Sequence, residues 1–248
     1  MVAREHLDIR TADGSCPASL FTPSDGGGPW PGVIFFMDGL GIRPTLDAMA
    51  QRLADDGYAV LLPDLYYRAG PYEPLDAKAV LASGSVREAL GPLLGTTDNR
   101  RAARDTESFL AQLREHRDVA GTRVGTTGYC LGGSLSLTAA GTYPDAVAAA
   151  ASFHGGSLVT DDADSPHLLA DRIKARVYIG AADNDRSYPP AMAARLVEAL
   201  MAANVAHTHE LYVGAAHGWT MADFPIYDAD AAERHWAALL ELFGATLR

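Results

Sequence analysis

Two hydrophobic periods alternate along this chain. Leu7-Asp8-Ile9-Arg10 and Ala18-Ser19-Leu20-Phe21 flank Asp13-Gly14, a hairpin turn signal that predicts an antiparallel edge pair. Cys16 falls on or beside the second strand of that pair, a packing position. The stretch Ser24-Asp25-Gly26-Gly27-Gly28-Pro29 reads as a surface loop. Pro31 to Met37 is then apolar without a break, as expected for a strand buried on both faces. Tyr58–Leu62, Arg123–Thr127, Ala146–Phe153, Arg176–Ala181 and Thr208–Val213 continue the series of strands.

Between these runs the spacing becomes helical. Thr45 to Asp55 turns Leu46, Met49, Ala50 and Leu53 to one side, and Gly57 stops it. Asp76 to Leu94 is mostly helical but broken at Ser83-Gly84-Ser85. Thr97-Asp98 caps a longer helix from Asn99 to about His116, with Ala102, Phe109, Leu110 and Leu113 inward. Leu135–Ala140 reads as a helix that breaks near Tyr143-Pro144, and Pro190–Ala203 as another. The closing helix, about Asp228 to Phe243, carries Ala232, Trp236, Leu239, Leu240 and Phe243 on one stripe. Leu65 to Tyr72 is an irregular aromatic loop with the character of a pocket wall or lid, and Leu158 to Leu169 is a polar excursion rich in Asp. Strands alternating with helices predict an α/β chain with a mostly parallel central sheet and helices on both faces. In such sheets chemistry collects at the carboxyl ends of the strands. With no repeat, low-complexity tract or linker, residues 1–248 read as a single domain.

Composition narrows the functions open to it. Apolar residues make up 48% of 248, ample for a two-faced core. A formal net charge of −11 argues against nucleic acid and anionic membrane surfaces as partners. The first residues are too polar for a secretory segment, and no apolar run approaches membrane-spanning length. Cys16 and Cys130 give no disulfide framework, which suits a reducing, cytoplasmic setting. The oligomeric state is not written in the chain.

The chemistry centres on Thr126-Thr127-Gly128-Tyr129-Cys130-Leu131-Gly132-Gly133-Ser134. A strand, a Gly-flanked corner and a helix lift one side chain above a sheet edge, as in the G-x-S-x-G elbow. Cys130 occupies the serine position, and Gly128 and Gly132 remove the Cβ atoms that would crowd the turn. The plainer reading makes Cys130 a small core residue at a tight turn. Other strand ends supply Asp38, His154, Asp183 with Asp185, and His217. Nucleophile, acid and histidine in that order is the α/β-hydrolase order. A free thiol is only slightly ionised at neutral pH, so it needs an imidazole beside it. The imidazole needs a carboxylate to fix its tautomer. His217 is the best base, set among Ala215, Ala216 and Gly218 after the last strand. His154 is a candidate for the pocket wall. His207 and His209 have the spacing of a metal pair but no third ligand, so no metal is expected; His6, His116, His167 and His235 read as surface. Asp183 and Asp185 both occupy the acid loop, and composition does not separate them.

With Gly128-Tyr129-Cys130-Leu131-Gly132-Gly133, Pro63-Asp64-Leu65-Tyr66, the acid loop before Pro189 and Ala216-His217-Gly218, the chain resembles the dienelactone hydrolase family of α/β-hydrolases. The likeness extends from about Val33 to the C-terminal helix. It implies Cys130 as nucleophile, His217 as base, and Asp185, four residues before Pro189, as acid. It also implies the backbone N–H groups of Leu131 and Gly39 as oxyanion hole. No cofactor is implied. The expected activity is hydrolysis of a small ester or lactone through a thioester. A redox-sensing or ligand-binding role with little turnover is the alternative, and a phosphate loop is disfavoured by the lack of G-K-[ST]. Two positions depart from the family. Asp38 stands where the family has a Glu that engages the cysteine at rest, and a carboxylate one methylene shorter calls that gate into question. Met221 replaces the family's substrate-carboxylate arginine. With Trp219 it suggests an apolar pocket for a neutral substrate, unless Arg68 or Arg87 compensates.

Overall fold

A computed structural model describes residues 3–24, 27–83 and 86–248, with the side chains of Ala3 and Arg87 outside the description. Asp25 and Gly26 of the expected surface loop, and Gly84 and Ser85 of the expected helix break, lie outside the described residues. Eight strands form one sheet in the order β1-β2-β4-β3-β5-β6-β7-β8. The hairpin β1 (Ala3–Thr11) and β2 (Gly14–Thr22) pairs antiparallel, and β2 pairs antiparallel with β4 (Ala59–Pro63). From there the sheet is parallel through β3 (Trp30–Phe36), β5 (Val119–Tyr129), β6 (Val147–Phe153), β7 (Arg176–Ala182) and β8 (His207–Tyr212).

The apolar runs explain this order. Val33 to Phe36 and all of β6 are buried, as central parallel strands covered on both faces must be. The covering helices bury the stripes expected of them. Helix α1 (Pro44–Asp55) buries Leu46, Met49, Ala50 and Leu53. Two short helices follow, α2 (Ala77–Ala82) and α3 (Val86–Leu94). Helix α4 (Asn99–Glu115) is capped by the Asp98 carboxylate, which accepts from the Arg101 N–H. The remaining helices are α5 (Leu131–Thr142), α6 (Pro190–Ala202) and α7 (Ala229–Leu247).

Most of the core is one cluster spread over both faces of the sheet. A smaller one joins Ala77, Val80 and Leu90 of α2 and α3 to Leu40. The pair α2–α3 is therefore a cap seated over the β3 exit loop, touching the main core through Leu93 and Leu94 of α3. One histidine expected at the surface is not there. His235 is fully buried on the inner stripe of α7, where the Tyr129 hydroxyl meets its Nε2 at 3.1 Å and the Ala232 carbonyl its Nδ1. Burial pushes its pKa down to about 3, so it stays neutral. No helix among the described residues is long and apolar enough to cross a membrane.

Candidate active site

Strand β5 ends at Tyr129 and α5 begins at Leu131, so Cys130 alone makes the corner. Its backbone is forced to φ 54, ψ −115, a region L-residues enter only when the surroundings hold them there. Here the Cys130 N–H donates to the Phe153 carbonyl at 3.2 Å, while the Cys130 carbonyl accepts from Gly133 and Gly156 at 3.1 and 3.2 Å. The flanking glycines are steric necessities. A Cβ on Gly128 would stand 1.9 Å from the Gly132 carbonyl oxygen, and one on Gly132 would stand 2.3 Å from that of Phe36. The corner lifts the thiol to the surface of the sheet edge, at the N-terminus of a twelve-residue helix whose dipole favours an anion.

The loop after β8 delivers His217 to the same place. Its Nδ1 meets Asp185 Oδ2 at 2.6 Å, and the ring lines the same cleft as Cys130. Burial alone would depress the imidazole pKa. The Asp185 hydrogen bond and the contact with Cys130 outweigh it and raise the pKa from 6.5 to about 10. The two candidate acids are separated by the turn after β7. Asp185 points at the imidazole, and its Oδ1 accepts from the Ser187 N–H at 2.7 Å. Asp183 instead accepts from the Gly214 N–H at 3.0 Å, and its own N–H donates to Ala215. It ties down the loop that carries His217.

Cys130, His217, Leu131, Gly39 and Asp38 share the lining of one cleft, a cavity of about 620 Å³. Neither the Gly39 nor the Leu131 N–H takes part in the turn hydrogen bonds among the described residues, which leaves both free for a ligand oxygen. Asp38, however, does not reach toward the sulfur. Arg43 grips it with both terminal nitrogens, Nη1–Oδ1 at 2.7 Å and Nη2–Oδ2 at 2.8 Å, and the Leu40 N–H donates to Oδ1. Arg43 in turn holds Asp223 through Nε at 2.6 Å. Arg43 stands five positions after Asp38 and just before Pro44. Nothing but helix onset is signalled there, so the pairing is invisible in sequence.

Two pocket candidates lie beneath the cleft instead of along it. His154 and Trp219 are fully buried. The turn Trp219 N–H to Ala216 carbonyl, 3.1 Å, folds the indole back onto Tyr212, with ring centroids 4.6 Å apart. His154 packs edge-on against both His217 and Trp219, and its Nε2 pairs with the Thr220 hydroxyl at 2.7 Å. Burial and the neighbouring His217 hold its pKa well below 6.5. Met221 is buried as well. The cleft is nonetheless apolar, with walls made by Leu81, Val86, Leu90, Leu94, Phe224 and Ile226.

The aromatic loop is likewise no wall of the cleft. The Tyr66 hydroxyl donates to the Gly39 carbonyl at 2.7 Å, and the Tyr72 hydroxyl accepts from the Ile42 N–H and donates to Asp64. The loop therefore buttresses the Gly39 turn from below. Arg68 is occupied with Asp13 and Asp105 and does not line the cleft. Among the described residues no cluster of three or more His, Cys, Asp or Glu side chains is arranged to hold a metal.

A mostly parallel sheet, a strained strand-to-helix corner at Cys130 and an imidazole backed by a carboxylate at the strand ends define an α/β-hydrolase. Residues 16–247 match the dienelactone hydrolase family, and the chain belongs to it. A carboxymethylenebutenolidase of Pseudomonas putida is 28% identical over 229 residues, covering 92% of this chain and 91% of that one. Among solved structures, a dienelactone hydrolase-like promiscuous phosphotriesterase from metagenomic libraries superposes with a TM-score of 0.80, at 24% identity, over 100% of this chain and 99% of that one. A dienelactone hydrolase of Anabaena variabilis gives 0.66 at 20% identity, over 100% of this chain and 99% of that one.

Proposed function

We propose that the chain hydrolyses a carboxylic ester or lactone by covalent catalysis, with Cys130 as nucleophile, His217 as base and Asp185 as the orienting acid. The observation that carries this reading is the 2.6 Å pairing of Asp185 Oδ2 with His217 Nδ1, together with the placing of that imidazole in one cleft with Cys130 of the strained turn. His217 holds the thiol proton as an imidazolium that Asp185 stabilises, which leaves the sulfur as the attacking thiolate. The sulfur attacks the carbonyl carbon, and the resulting oxyanion is received by the Leu131 and Gly39 N–H groups. The intermediate collapses, the C–O bond breaks, and the departing alkoxide takes the proton from His217. A thioester remains on Cys130. His217 then deprotonates a water that attacks the thioester, the acid leaves, and the proton returns to the sulfur. The scheme calls on no cofactor or metal. The ester and lactone bond class is supported by the name of the Pseudomonas putida relative.

The same reading takes residues 1–248 as one catalytic domain, because nucleophile, acid and base follow the ends of three strands of one sheet. A working free thiol fits a reducing compartment such as the cytoplasm. The test uses the burial of Cys16, which leaves Cys130 as the accessible thiol. Single alkylation by iodoacetamide is expected to abolish turnover of p-nitrophenyl acetate. Turnover retained by the alkylated protein would overturn the covalent mechanism.

A further inference from the structure

We infer that the substrate is uncharged, an ester or lactone with an apolar arm, and that α2 and α3 select that arm. The inference rests on the hydrolase reading above and specifies its substrate class. Three observations support it. First, the cleft around Cys130 is walled by Leu81, Val86, Leu90 and Leu94 on one side and by Phe224 and Ile226 on the other. The first four come from α2 and α3, whose small separate core rests on Leu40, next to Gly39. Whatever fills the space beside the oxyanion turn must therefore be apolar.

Second, the guanidinium beside the cleft has no capacity left for a substrate carboxylate. Arg43 is 3% exposed, its terminal nitrogens are bound to Asp38, and Nε is bound to Asp223. One cation between two carboxylates leaves this corner with one net negative charge. Third, no Lys or Arg side chain appears among the described residues that line the cavity. A carboxylate entering here would lose its water, find no Lys or Arg free to receive it among the described side chains, and stand beside a negative cluster. An aliphatic or aromatic arm would lose only unfavourable hydration, worth about fourfold in affinity for each methylene buried.

The decisive experiment compares p-nitrophenyl esters of equal length, one with an aliphatic acyl chain and one ending in a free carboxylate. In the intact protein kcat/KM is expected to rise about fourfold per methylene from acetate to butyrate. The carboxylate-terminated ester is expected to fall at least tenfold below its neutral counterpart. The ratio of anionic to neutral kcat/KM should then rise in Leu90→Lys and in Val86→Lys, two independent placements of a cation on the α3 wall. An anionic ester turned over as well as or better than its neutral twin would overturn the inference. An unchanged ratio in both folded variants would overturn the assignment of the selecting wall. Failure of the underlying hydrolase reading looks different: turnover of every ester would survive alkylation of Cys130. Ester turnover that is lost on alkylation but blind to charge sinks only the present inference.

Discussion

Two buried carboxylates stand at one cleft, Asp38 in its lining and Asp185 behind the His217 ring, and each holds a basic partner. Asp185 holds His217 through a 2.6 Å contact, and Asp38 holds Arg43 through two contacts of 2.7 and 2.8 Å. The geometries are close and the consequences are opposite. An imidazole can surrender its proton, whereas a guanidinium in a protein does not. Burial works to lower the pKa of Arg43, but Asp38 and Asp223 raise it further above its already high value. The first pair can move a proton beside Cys130. The second is fixed charge that joins the loop after β3 to the loop after β8. Chemistry at this cleft thus requires a partner that titrates, and architecture requires one that does not.

Breaking each pair should separate the two roles. The largest effect is expected at the titrating pair. His217→Ala should lower kcat/KM for p-nitrophenyl butyrate by at least about a thousandfold. Cys130→Ser should fall steeply as well, since a hydroxyl is a poorer nucleophile than a thiol. Normal turnover in that variant would mean that sulfur chemistry is not used.

At the fixed pair the loss should appear in stability. Arg43→Met leaves the Asp38 carboxylate buried and unpaired, which costs about 3–5 kcal/mol. Urea denaturation measures it directly. Replacing both partners, Arg43→Met with Asp38→Leu, should recover most of that loss, because no buried charge then remains. Asp223 is the partner that keeps some solvent contact and should tolerate the exchange. Equal stability of the single and double variants would show that the two side chains do not act as a pair.

The comparison also marks where sequence reading succeeds and where it stops. The Cys130 corner was legible because its glycines answer a steric demand: Gly128 closes on the Gly132 backbone of the same turn, and Gly132 on the Phe36 and Met37 carbonyls at the end of β3. His217 and the acid loop were legible because strand ends converge in a parallel sheet. The direction of a side chain leaving those ends was not. Trp219 lies two residues after His217 in sequence, yet one turn hydrogen bond sends the indole under the sheet edge. The pocket wall came from the broken helix of residues 77–94, whose apolar positions could equally have faced the main core. The Asp38–Arg43–Asp223 bridge joins residues 180 positions apart and has no local signature. His235 could have been found. It falls three after Ala232 and four before Leu239, on the apolar stripe itself.

A proton-linked measurement sharpens the contrast between the partners. His217 binds its proton more tightly in the folded chain, with a pKa of about 10 against an ordinary 6.5. Below pH 6.5 both states hold the proton and the contribution to stability is complete. As pH rises the unfolded chain releases its proton first, so the contribution shrinks and is gone above the folded pKa. The stability difference between the natural chain and His217→Gln should therefore decline between pH 6.5 and about 10. The difference between the natural chain and Arg43→Met should stay flat over the same range, since Arg43 does not titrate there. Parallel slopes would dissolve the distinction drawn between the two pairs.

The smallest effect concerns the imidazole that belongs to neither pair. His154 lies behind His217 with ring centroids 5.2 Å apart, and its Nε2 is satisfied by the Thr220 hydroxyl. Its Nδ1 has no partner among the described residues. Thr220→Val keeps the side-chain shape and removes the hydroxyl, so a second nitrogen of a buried ring is left unsatisfied. The expected cost is about 1–3 kcal/mol, read as a lower urea midpoint, with kcat/KM reduced only as far as His217 loses its backing. Because burial and the neighbouring His217 keep His154 neutral, this loss should be the same at pH 6 and pH 8. A loss that grew on acidification would mean that His154 takes up a proton in the folded chain, and the cleft would then hold a second titrating imidazole behind the first.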